Sequence, residues 1–110
     1  GGVKLGLDKT RDMILNLSLN VKSYNSEFYI IIMPWPDTLN FGQKTFNWEK
    51  FGRSLCEITS CDGLINLFDE FQIIKSNDPR WLDKIYLKDD IHLTSFANNI
   101  VANKIMKESF

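Results

Sequence analysis

Six consecutive apolar residues, Phe28 to Met33, stop at the sequence Pro34-Trp35-Pro36. A strand with one wet face alternates apolar and polar side chains, so an unbroken run predicts a strand covered on both faces, as in parallel sheets. Neither proline can donate to a ladder, and the strand ends there. A parallel partner has to be reached by a crossover. Asp62-Gly63 is a turn signal, and the stretch of about 63–68 reads as that partner, with a helix over 46–59 between the two. The pair makes a βαβ unit, expected to be right-handed.

The remaining chain supplies cover. Ile14, Leu17, Val21 and Tyr24 share a helical stripe within about 8–24, with Asp8 placed to cap it. Phe51, Leu55 and Ile58 share a face of the 46–59 helix, and Phe96, Ala97, Ile100, Val101 and Ile105 share a face of a helix over 94–108. Residues 37–45 read as loop, and 69–74 as a short helical turn broken at Asn77-Asp78-Pro79. The expected fold class is α/β: a single domain over 1–110 forming part of a flavodoxin-like three-layer sandwich, whose functional loops belong at the carboxyl ends of the strands.

Thirteen Lys and Arg balance fourteen Asp and Glu, and no segment concentrates the basic residues. That excludes nucleic acid as a main partner, because a basic stripe is the footprint such binding needs. The longest apolar run is far short of a membrane span. Cys56 and Cys61 lack zinc-ligand spacing and, at about 100° per helical residue, fall on different faces, so both are expected as buried or half-buried thiols.

Chemistry concentrates in Tyr86-Leu87-Lys88-Asp89-Asp90-Ile91-His92-Leu93-Thr94, which holds the only histidine. A histidine base needs its second ring nitrogen held by an acceptor that fixes the tautomer and stabilises the imidazolium. Asp89, three residues earlier in a tight loop, can point back at the ring, and the adjacent Asp90 is the alternative orienter. Thr94 or Ser95 would cap the helix that supports the loop. Trp35, at the end of the first strand, either lines a cleft or plugs the packing between two prolines. Trp81, Phe71 and Tyr86 read as core or as cover for the loop.

The string Asp89-x-x-His92-Leu93-Thr94, followed by a helix carrying Ala97, Val101 and Ala102, resembles the C-terminal block of the SGNH (GDSL-type) hydrolases. Phe28 to Pro36 is similar to the strand and loop that precede that block in some members. The resemblance, from about Leu7 onward, implies that His92 and Asp89 belong to a Ser-His-Asp triad. It also implies ester hydrolysis or O-acetyl transfer on an ester or acetylated-carbohydrate substrate, with no cofactor and no metal. The family's Gly-Asp-Ser block, and the Gly and Asn that complete its oxyanion hole, are not in these 110 residues. The chain therefore reads as the C-terminal half of such a domain. The alternative is a non-catalytic binding or assembly module on the same half-fold, and a Gly-Asp-Ser strand upstream would separate the two. In either case the 28–33 edge is expected to be covered, by a partner chain such as a second copy or by more of a longer polypeptide.

Overall fold

A computed structural model describes residues 2–44, 46–88 and 92–109. The order is α1 (Gly2–Ser23), β1 (Tyr29–Ile32), α2 (Pro36–Phe41), α3 (Trp48–Thr59), β2 (Gly63–Asn66), α4 (Phe68–Asn77), α5 (Trp81–Ile85) and α6 (Ser95–Ser109). The protein is mixed α/β and mostly helical. Its two strands pair in parallel, Tyr29 opposite Gly63 through Ile32 opposite Asn66.

Alternation along the strands sorts the two faces. Ile32 points at α3, where Gly52 is needed: a Cβ at that position would lie 2.4 Å from the Ile32 Cδ1. Asn66, on the same face, donates to the Glu49 carboxylate at 2.5 Å. Ile65 points the other way and is sealed in the core with Ala97 of α6. That core runs on through Leu39, Leu67, Phe71, Ile85 and Tyr86. It gathers beside β2, while the far side of β1 is left bare and Ile31 stays 45% exposed.

Several expectations change. The second strand stops at Asn66, because the Asn66 side chain accepts from Phe68 N–H at 2.9 Å and turns the chain into α4. Residues 69–74 are therefore the interior of a ten-residue helix. Residues 37–41, part of the stretch 37–45 expected as loop, belong to α2, whose first turn carries Pro36 and Asp37. Proline ends a strand, but its fixed φ also suits the first turn of a helix. Helix α1 begins at Gly2, so Asp8 is not its cap and pairs instead with Arg11 at 2.9 Å. Its inward stripe includes Ile14, Ser18 and Val21, with Ser18 fully buried, whereas Leu17 and Tyr24 face out.

The cysteines form a disulfide, with Cα atoms 4.8 Å apart. Helical spacing misled here because Cys61 lies beyond the helix. Ser60 turns left-handed at φ 49, ψ 49, and Cys61 N–H reaches back to the Cys56 carbonyl at 2.9 Å. In this Schellman cap the residue after the turn sits over the residue three places before the helix end, where a hydrophobic contact is usual. A disulfide takes its place.

Candidate active site

Tyr86 and Leu93 form an antiparallel bridge, and Leu87 N–H donates to the His92 carbonyl at 2.8 Å. Thr94 N–H donates to the Ile85 carbonyl at 2.8 Å, and its hydroxyl donates to the Lys84 carbonyl at 2.5 Å. The same hydroxyl accepts from Ala97 N–H at 3.2 Å, so Thr94 is the side-chain cap that starts α6. His92 is thus fixed at its backbone two residues before a capped helix, and it is exposed to solvent. Asp89 and Asp90, the two orienter candidates, lie outside the described residues.

A longer tie anchors Tyr86, where this loop begins. The Tyr86 hydroxyl donates to the Pro34 carbonyl at 2.5 Å, inside the core and across 52 residues of sequence. Pro34 lies two residues beyond the last residue of β1, so the bond fastens Tyr86 to the stretch just past the carboxyl end of that strand. Sequence reading placed Tyr86 only as core or cover. The signal for more was available, since a phenol within apolar packing needs a hydrogen-bond partner. Phe71 meets the Tyr86 ring edge to face, with centroids 6.4 Å apart and planes at 85°.

Trp35 is 62% exposed and lies on the wall of a groove of about 670 Å³ that runs along β1. Ile30, Ile31, Trp48, Phe51 and Leu55 line the same groove, and Asp37 is its one charged lining residue among the described residues. Trp48 and Phe51 belong to an aromatic cluster with Phe46 that sequence reading treated only as helix. Among the described residues no group of His, Cys, Asp and Glu has an arrangement that could hold a metal ion. Among the same described residues no helix is long and apolar enough to cross a membrane.

Burial pushes the Tyr86 phenol well above its ordinary range. A group whose folded pKa is raised keeps its stabilising effect below its unfolded pKa, about 10 for tyrosine, and loses it as pH rises beyond. Stability should hold to about pH 10 and then fall by up to about 1.4 kcal/mol per pH unit from this group. Tyr86→Phe should flatten that alkaline slope. At neutral pH it should cost about 1–3 kcal/mol, because the buried Pro34 carbonyl loses its donor. Urea titrations at pH 8 and pH 11 on both proteins measure the two effects, and an unchanged alkaline slope in the variant would count against the assignment.

Searches against protein-family models, curated proteins and solved structures return no match to this chain.

Proposed function

We propose that the chain is the C-terminal part of an acyl-transfer domain of the SGNH type, built as a partial flavodoxin-like sandwich. In this reading His92 removes the proton from a serine hydroxyl supplied by polypeptide outside this sequence. The serine oxygen bonds to the carbonyl carbon of an ester or O-acetyl group. When the tetrahedral intermediate collapses, the alkoxide leaving group takes the proton back from His92. Asp89 is the positioning residue, holding the ring and its positive charge. Water or an acceptor hydroxyl then releases the acyl group by the same steps in reverse.

The observation that carries the reading is the buried bond between Tyr86 and Pro34. It ties Tyr86, whose backbone pairs with Leu93 beside the only histidine of the chain, to Pro34 just beyond a parallel strand, and this supports the reading because open α/β sheets carry their reactive groups at the carboxyl ends of their strands. The parallel pairing of β1 and β2 across α3 is the second support.

The test compares two polypeptides. The isolated 110 residues should hydrolyse p-nitrophenyl acetate no faster than free imidazole, because the nucleophile and oxyanion donors are elsewhere. A longer product of the same reading frame should turn the ester over with saturation and react with a fluorophosphonate probe. Turnover by the isolated chain that the probe abolishes would overturn the division of the site. A longer product inert to both substrate and probe would overturn the acyl-transfer reading.

A further inference from the structure

The bare edge of β1 has a definite hydrogen-bonding phase. The Phe28 carbonyl accepts from Asp62 N–H at 2.7 Å, the Phe28 N–H donates to the Asp62 carboxylate at 2.6 Å, and the Ile32 carbonyl accepts from Leu67 N–H at 3.0 Å. Backbone groups alternate along a strand, so Phe28, Ile30 and Ile32 face β2 while Tyr29, Ile31 and Met33 face the opposite edge. The sheet has no third strand there among the described residues.

Helix α1 says what belongs on that edge. The Arg11 guanidinium lies 5.6 Å from the Phe51 ring centroid, and eleven residues later the Lys22 ammonium donates to the carbonyls of Thr59 and Ser60 at 2.6 and 2.8 Å. The two helices therefore run side by side in the same direction. Each is followed by a short turn and then a strand, so α1 stands to β1 as α3 stands to β2. The chain entering α3 comes from the strand beside β2. Parallel crossovers are right-handed, and two consecutive right-handed crossovers with their helices on one face advance across the sheet in one direction. The strand that feeds α1 then falls on the side of β1 away from β2, in the parallel sense.

Surface area agrees with a missing layer. The accessible surface is 7709 Å², against about 6,300 Å² for a folded monomer of 12.8 kDa. The excess of about 1,400 Å² exceeds the roughly 800 Å² per partner of a standard interface. The radius of gyration, 15.3 Å, likewise exceeds the value of about 13 Å for this length. The surplus includes Ile31, Trp35 and Trp48 at the groove, and Met13 and Leu17 on the outer side of α1. The groove continues the interface that β1 already makes with β2 and α3, and its lining is apolar apart from Asp37 and Thr38.

We infer that the free edge of β1 is the seat of an apolar strand parallel to it, contributed by polypeptide that leads directly into α1. The inference stands on the helix and strand geometry and does not depend on the chemistry of His92. Hydrogen exchange tests it, on the 110-residue chain and on the longer product of the same reading frame. The amides of Ile30 and Ile32 should be protected in both. Those of Tyr29, Ile31 and Met33 should slow by at least about a hundredfold in the longer protein only. Ile31→Pro removes the central donor from the open edge and none of those facing β2. It should abolish the added protection while leaving the short chain as stable as before, and His92→Ala should change neither result. Exchange that is the same in both proteins overturns the inference, as does a reading frame with nothing before α1. Protection in the short chain that rises with concentration, together with a dimer by light scattering, also overturns it, because a second copy would then be the occupant.

Discussion

Replacing Phe71 with alanine should remove cooperative folding from this chain at physiological temperature. Phe71 has no exposed surface and touches the Tyr86 ring edge to face, at the centre of the cluster formed by Leu67, Ile85 and Ala97. Truncating a buried phenylalanine costs about 3–5 kcal/mol, from lost transfer energy and from the cavity left behind. Native domains hold about 5–15 kcal/mol in all. A chain with a two-stranded sheet, one bare sheet edge and surplus surface belongs at or below the bottom of that range. The loss is then comparable to the whole stability. Phe71→Leu keeps most of the volume and should cost less than about 1.5 kcal/mol, so it separates packing from aromaticity. Phe41, 71% exposed, is the control, and its alanine variant should change stability by less than about 0.5 kcal/mol. Urea unfolding followed by near-ultraviolet circular dichroism measures all three. A Phe71→Ala protein within 1 kcal/mol of the parent would mean that the core is not centred there.

Much of this core was legible where periodicity was strong. The unbroken apolar run of β1 and the helical spacing of α3 and α6 each specify one partner surface, and the structure has both strands and all three long helices near the expected places. Reading failed where one residue type carries two meanings. Pro36 reads as the end of β1, yet it also opens α2. Asn66 sits within an apolar stretch that looked like continuous strand, but its side chain turns the backbone at Phe68. The inward face of α1 differs from the expected stripe by about one residue, because Ser18, whose hydroxyl is satisfied by the Leu15 carbonyl, is buried while Leu17 turns outward. The disulfide was invisible for a different reason. Spacing rules inside a helix do not extend past a left-handed cap, and Ser60 is an uncommon residue for one.

The candidate site was legible as a string and not as a place. Nothing local to Tyr86 says that its hydroxyl belongs on the Pro34 carbonyl. That juxtaposition depends on a hydrogen bond across 52 residues. The groove was equally hidden, since Trp35, Trp48 and Phe51 meet only once α3 is laid against β1. Trp35 therefore joins two surfaces. It stands on the groove wall, and its neighbour Pro34 accepts the bond from Tyr86. A strand seated on the open edge of β1 would end near the same loop. The residues that follow it would be the ones within reach of His92.

In a longer protein that turns over esters, His92→Ala should lower kcat by about 10³-fold or more, with the KM little changed. The argument begins from position. His92 lies outside the apolar core and its backbone is fixed by Leu87 and by the Thr94 cap, so the side chain can be removed without opening a cavity. Without the imidazole, the serine hydroxyl has to lose its proton to water and the alkoxide has to leave unprotonated, which removes both proton transfers from the barrier. Activity that remains should come from binding and oxyanion donors, and should not be lowered further by changing Asp89, because an orienter has nothing to act on once the ring is gone. Asp89→Asn in the parent should therefore cost a large factor, and in the His92→Ala background almost none. Asp90→Asn serves as the comparison. If Asp90→Asn shows the dependence on His92 and Asp89→Asn does not, the orienting role belongs to Asp90. If His92→Ala retains more than about a tenth of the parent kcat, the histidine is not the base and the acyl-transfer assignment fails with it.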